Sequence, residues 1–210
     1  MAQKKEVQII IIPPLKVERL QLHIKGVTEL ICHAWSEKAK KQMLAKQMKE
    51  AKQGKDAKDP ERDYRESLYW LNQKAPHDLV PVGKVDPSKH ELFGFKTIAF
   101  KAAAVRAAND VGLAMTLTRR AFHVIGEFVK LDYKTVYMRE DMVRLNGGVA
   151  DIRYRGAFTD WSTVLDVKFN AGIISAEQLY NLFNTAGFGV GVGEWRPEKN
   201  GVSGTFEVQK

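Results

Sequence analysis

The chain has 210 residues, enough to bury one sizeable core or a core with one inserted lobe. With 44% hydrophobic and 28% charged residues it is not a disordered polypeptide, and no apolar run approaches the length that spans a bilayer. Lys and Arg outnumber Asp and Glu by 33 to 25. The excess lies upstream: from Asp151 onward six cations face seven anions, which leaves 27 against 18, or +9, in the first 150 residues. Such a field attracts polyanions, either nucleic acid or anionic lipid.

One cysteine, Cys32, lies in the apolar run Leu30-Ile31-Cys32 and has no partner for a disulfide, which predicts a reducing compartment and a small buried hydrophobe. Residues 7–15 are apolar, but Pro13-Pro14 interrupts them and no small-residue cleavage site follows. They read as a strand and not as a signal peptide, and the expected location is the cytoplasm.

In chain order, residues 18–26 set Leu20, Leu22 and Ile24 against Arg19, Gln21, His23 and Lys25, the period-two pattern of a half-buried strand. Ser36 is a plausible N-cap for a helix with Ala39, Met43, Leu44 and Met48 on one stripe. The other faces of that helix are lysine-rich, including Lys38 and Lys41. Residues 61–95, broken by Pro76, Pro81 and Pro87, read as an irregular insertion. Residues 98–111, alanine-rich and without proline, predict a second helix carrying Lys101 and Arg106. Residues 121–144 predict one or two hairpins.

The last sixty residues are the most regular. Ile152, Tyr154 and Phe158 alternate with Arg153 and Arg155, and Thr163, Leu165, Val167 and Phe169 alternate with Asp166 and Lys168. Ser175-Ala-Glu-Gln178 opens a helix with a capping box, and a strand closes the chain with Phe206 and Val208 inward. The order predicts an α+β protein with a ferredoxin-like (RRM-like) split βαβ sheet, helices on one face and a large central insertion. Its core is expected from residues 1–60 and 150–210, as β-α and then β-β-α-β. An inserted lobe of one helix and β-hairpins is expected over 61–149.

The open face of such a sheet displays Arg19, His23, Lys25, Arg153, Arg155 and Lys168, opposed only by Asp166 and Glu207. With no outward aromatics to stack bases, the expected partner is the backbone of a single-stranded nucleic acid, RNA or DNA. The lysine-rich helix lacks the Trp or Phe anchors of a membrane-surface helix, so no membrane partner is expected.

The segment from Gly187 to Gly204 holds glycines at 187, 189, 191, 193, 201 and 204, together with Trp195, Arg196 and Lys199. It matches neither the dinucleotide fingerprint nor a P-loop. Glycines at alternate positions predict unshielded backbone N–H groups that an extended anion could approach. A helix, a loop of this form and a short final strand resemble the carboxyl-terminal signature of the RAMP superfamily, the ferredoxin-like RNA-binding proteins of CRISPR effector complexes. The stretch from Leu22 to Ile31 is similar to that superfamily's first strand and turn. The segment around Phe100-Lys101 and Val105-Arg106 is similar to the basic helix of its backbone-forming members. The sequence also resembles short bacteriophage proteins. The resemblance implies a non-catalytic subunit that coats single-stranded RNA or DNA, as a homo-oligomer or filament. In that reading Gly189, Gly191, Gly193, Arg196, Lys199, Lys101 and Arg106 touch the strand.

The same superfamily includes metal-independent endoribonucleases with a histidine general base, and His33 is the histidine nearest that place, with Lys38 as a partner. A further alternative is a phage protein that inhibits or mimics a host CRISPR subunit. The five histidines show no metal-ligand spacing, and neither a metal nor a cofactor is expected.

Overall fold

The computed structural model describes residues 13–50, 57–71, 93–144 and 148–209. It is a mixed α+β protein with five α-helices and three antiparallel sheets among these residues. The apolar run at 7–15 lies largely outside them, and residues 13–16 have no regular structure.

The main sheet has four strands. Strand β1 (Val17–Gly26) is central, and it pairs with β9 (Ser162–Asn170) on one side and β10 (Phe206–Gln209) on the other. β5 (Phe122–Val124) closes the far edge against β9, so the order is β10-β1-β9-β5 with every neighbour antiparallel. The period-two alternation of β1 and β9 is met residue by residue. Leu22, Ile24, Thr163, Leu165, Val167 and Phe169 are all buried, with Leu22 opposite Leu165 and Ile24 opposite Thr163.

Two helices share the buried face. Helix α3 (Thr97–Ala107) places Phe100, Ala103, Ala104 and Ala107 inward, at helical spacing. Helix α5 (Ala176–Gly189) buries Leu179, Leu182, Phe183 and Ala186, and its Ser175–Gln178 capping box is formed. The small alanines let α3 approach α5 and the sheet closely, while Phe100 meets Phe206 of β10 and Phe183 meets Phe122 of β5.

The expected division of the chain differs here. Helix α1 (Glu37–Gln47) forms behind its Ser36 cap but has no buried residue; Met43, Leu44 and Met48 are exposed. The helix that covers the sheet is α3, from the segment expected in an inserted lobe, and β5 comes from that segment too. The physical reason is the width of the apolar face: α3 offers one phenylalanine flanked by alanines, whereas lysines interrupt the narrow stripe of α1. Residues 61–71, expected to be irregular, include helix α2 (Pro60–Ser67) and strand β3 (Tyr69–Trp70). Residues 72–92 lie outside the described residues.

β8 (Ala150–Thr159) is the second departure. It does not join the main sheet but lies between β2 (Leu30–Ile31) and β7 (Thr135–Arg144) in a sheet of its own. A third small sheet has β4 (Phe93–Lys96) between β3 and β6 (Phe128–Lys130). Cys32 is fully buried, and burial pushes its thiol well above the ordinary range. No helix among the described residues is long and apolar enough to cross a membrane.

Candidate nucleic-acid interface

β1 turns Arg19, Gln21, His23 and Lys25 to the face that no helix among the described residues covers, because Leu22 and Ile24 alternate to the other side. Directly opposed residues of a sheet share a face, so the register extends the row. Arg19 faces Lys168, Lys168 faces His123, and Lys25 faces Ser162 on one side and Glu207 on the other. Gln21 faces Asp166 and His23 faces Val164, so no Phe, Tyr or Trp projects from this face of the sheet.

At the β5 edge the row continues onto the helices. Lys101 of α3 reaches His123 Nδ1 at 3.1 Å and lies over the Phe122 ring. Arg119, on helix α4 (Met115–Ala121), adds its charge nearby. Partial burial, and then Arg119, lowers the Lys101 ammonium from its ordinary value. His123 is also lowered, first by desolvation and then by Lys101 and Lys168, which keeps its imidazole largely neutral at pH 7. Arg19, Lys25, Lys101, Arg119 and Lys168 have no ion-pair partner among the described residues. The band is therefore a positive surface without ion-pair partners among the described residues, wrapping one edge of the sheet beside a pocket of about 310 Å³ lined by Lys96, Lys101, His123 and Glu127.

Other expected contact residues are placed differently. Arg153 and Arg155 lie on the β2-β8-β7 sheet. Arg153 pairs with Asp151 at 2.9 Å, and Arg155 is 6% exposed between Asp141 and Glu194. Arg106 pairs with Glu198, and Glu198 also holds Arg196, whose Nη1 donates to the Gly193 carbonyl at 2.9 Å. Lys199 and Lys41 are exposed, on the short 3₁₀ turn after Arg196 and on α1 respectively.

The glycine segment is not the open cradle expected. Gly187 and Gly189 are the last turn of α5. The N–H groups of Gly191, Val192, Glu194 and Gly204 donate to the carbonyls of Ala186, Gly204, Ile31 and Glu29, so they are spent within the fold. Gly193 has φ +80°, and a Cβ there would stand 2.6 Å from the Ile31 carbonyl oxygen. A Cβ at Gly191, φ +70°, would stand 2.8 Å from Pro197 Cδ. These glycines let a crossing of chain segments close up; they do not admit a ligand.

A second concavity brings together residues from three places in the sequence. His33, Lys38, Lys58, Arg153, Tyr154 and Arg155 line a cleft of about 410 Å³ between the start of α1, α2 and β8. His33 Nδ1 is 3.4 Å from Glu194 Oε1, and that contact, followed by the charge of Arg155, holds the Glu194 carboxyl below its usual range despite burial.

His123, Arg119, Lys58, Tyr154 and Glu194 carried no sequence signal for these roles. His123 sits in a three-residue strand too short to show a period, and the cleft residues converge only through the second sheet. No group of three or more His, Cys, Asp or Glu with metal-holding geometry occurs among the described residues. No protein-family model matches the sequence, and no curated protein matches it.

Proposed function

We propose that this protein binds single-stranded nucleic acid, RNA or DNA, through its phosphate backbone and without catalysing a reaction. The observation that carries the reading is the band Arg19–Lys168–His123–Lys101 with Arg119, whose four Lys and Arg side chains are free of carboxylate partners among the described residues. Unpaired cations in a row can neutralise successive phosphates and displace the counterions condensed on the strand, whereas paired ones are held by their carboxylates. The absence of stacking aromatics on the sheet face favours backbone over base recognition.

The strand order β10-β1-β9-β5, with α3 and α5 on one face, supports a ferredoxin-like split βαβ reading in which α3, not α1, is the first crossover helix. It is compatible with the RAMP resemblance. The glycine segment, the resemblance's most specific motif, contributes to this reading as a folding element only. Coating of the strand as a filament is part of the same proposal and would appear as cooperative binding.

The test is fluorescence anisotropy of a labelled mixed-sequence strand against salt. Four phosphate contacts predict a log–log slope of roughly −3, from about −0.7 per phosphate on single strands. No binding at about 50 mM salt, or a salt-independent affinity, removes the reading.

One observation favours a second reading, a metal-independent endoribonuclease. Glu194 orients His33 through Nδ1, and Lys38 and Tyr154 line the same cleft, the arrangement of a base with its orienting carboxylate and two proton donors. RNA incubated in EDTA is expected to stay intact. Cleavage lost on His33→Ala would replace the binding reading with this one.

A further inference from the structure

The cleft between α1, α2 and β8 contains a feature that backbone binding on the sheet face does not use. Arg155 is 6% exposed, yet its carboxylate neighbours stand at 3.7 Å (Asp141) and 3.6 Å (Glu194), beyond hydrogen-bond reach, and its buried Nε has no acceptor among the described residues. Asp141 is already engaged by Arg139 at 2.8 Å, and Glu194 by His33. A buried guanidinium is stable only when its donors are used, and a planar fork of N–H groups matches the oxygens of a phosphate or carboxylate.

The rest of the lining selects between those anions. Lys38, Lys58, Arg153 and Arg155 bring four cations to the lining; Asp63 and Asp151 share it, and Asp141 and Glu194 flank Arg155. Asp151 is itself held by Lys58 at 2.7 Å and Arg153 at 2.9 Å, while Lys38 has no partner among the described residues. An unused guanidinium N–H beside a free ammonium suits a phosphate monoester, with three terminal oxygens, better than a phosphodiester or a carboxylate with two. A volume of about 410 Å³ also leaves room for a sugar attached to it.

We infer that this cleft is a binding site for a phosphate monoester, seated on Arg155 and Lys38, as carried by a phosphorylated strand end or by a free nucleotide. The strand-end source rests on the binding function proposed above; the cleft itself does not.

The experiment compares a short mixed-sequence oligonucleotide carrying a 5′-phosphate with the same strand ending in a hydroxyl, and measures the thermal midpoint of the protein with adenosine 5′-monophosphate. A terminal phosphate is expected to tighten binding about tenfold, the value of one charge-assisted hydrogen-bond set. Lys38→Ala should return the ratio of the two affinities to near one. Arg155→Lys, which keeps the buried charge but loses the fork, should lower it partway. Equal strand affinities together with a nucleotide-dependent rise in midpoint, absent in Lys38→Ala, assign the site to a free nucleotide. Binding of the nucleotide with no strand binding at all keeps the cleft and ends the function proposed above. Equal strand affinities with no response to the nucleotide overturn this inference and leave backbone binding standing.

Discussion

Two basic regions of this molecule contrast. On the open face of the main sheet and at its β5 edge, Arg19, Lys168, Lys101 and Arg119 have no ion-pair partner among the described residues. Around the glycine-rich segment and the second sheet, Arg106 and Arg196 are matched to Glu198 and Arg153 to Asp151, while Arg155 lies 3.6 Å from Glu194 and 3.7 Å from Asp141. A cation spent on a carboxylate adds little to the field a phosphate meets, and displacing that carboxylate costs what the phosphate would return. The comparison teaches that counting charges along a sequence overstates a binding surface, and that only their pairing in space gives its extent.

The largest effect that sharpens this contrast lies in the glycine segment. Gly193→Val meets both a left-handed backbone and the Ile31 carbonyl, and should destabilise the protein by about 3 kcal/mol or more, lowering the thermal midpoint by about 10 °C. Gly191→Val should do the same on a smaller scale. A variant with unchanged melting would mean that the segment is free to move and returns it to the candidate contact surface.

On the sheet face, the double change Arg19→Glu and Lys168→Glu should weaken single-strand binding roughly tenfold or more at low salt, and reduce the salt slope by about 1.4. Circular dichroism melting should hold, because both side chains are exposed. Wild-type affinity in this variant would locate binding elsewhere.

His123 gives a pH signature. Its imidazole is held below the ordinary value by burial, Lys101 and Lys168, and a phosphate on the band would raise it again. Binding then takes up a proton, so affinity should rise as pH falls below neutral, by about threefold between pH 7.5 and pH 5.5. His123→Gln should flatten the profile. A profile equally steep in that variant would assign the proton to another group.

The smallest effect is the most diagnostic of the contrast. Arg196→Ala should change affinity less than about twofold, because Glu198 and the Gly193 carbonyl already occupy the guanidinium. A loss comparable to the Arg19 and Lys168 double variant would erase the difference between the two regions.

Much of this was legible in the sequence. The alternation in β1 and β9 placed their inward and outward residues in the strands where burial finds them, and the Ser36 and Ser175 caps started helices at the expected residues. The partners of each element were not legible. Residues 150–159 alternate as clearly as 162–170, but alternation does not say which sheet a strand enters, and β8 goes to β7 and β2. Likewise, the glycine spacing signalled a special backbone without saying whether a ligand or the chain itself makes the close approach.

By itself the sequence determined the local elements, the α+β class and the basic excess of the first 150 residues, because period, capping and composition act between near neighbours. Tertiary structure alone decided that α3 covers the sheet while α1 does not, that His123 joins Arg19 and Lys168 in one row, and that Arg155 is buried beside a cleft. Those outcomes depend on which of several suitable apolar faces closes the core and on strand pairings between residues far apart in sequence, 45 positions for His123 and Lys168 and 149 for Arg19 and Lys168. No local pattern encodes either choice, since each is settled by burial summed over the whole fold.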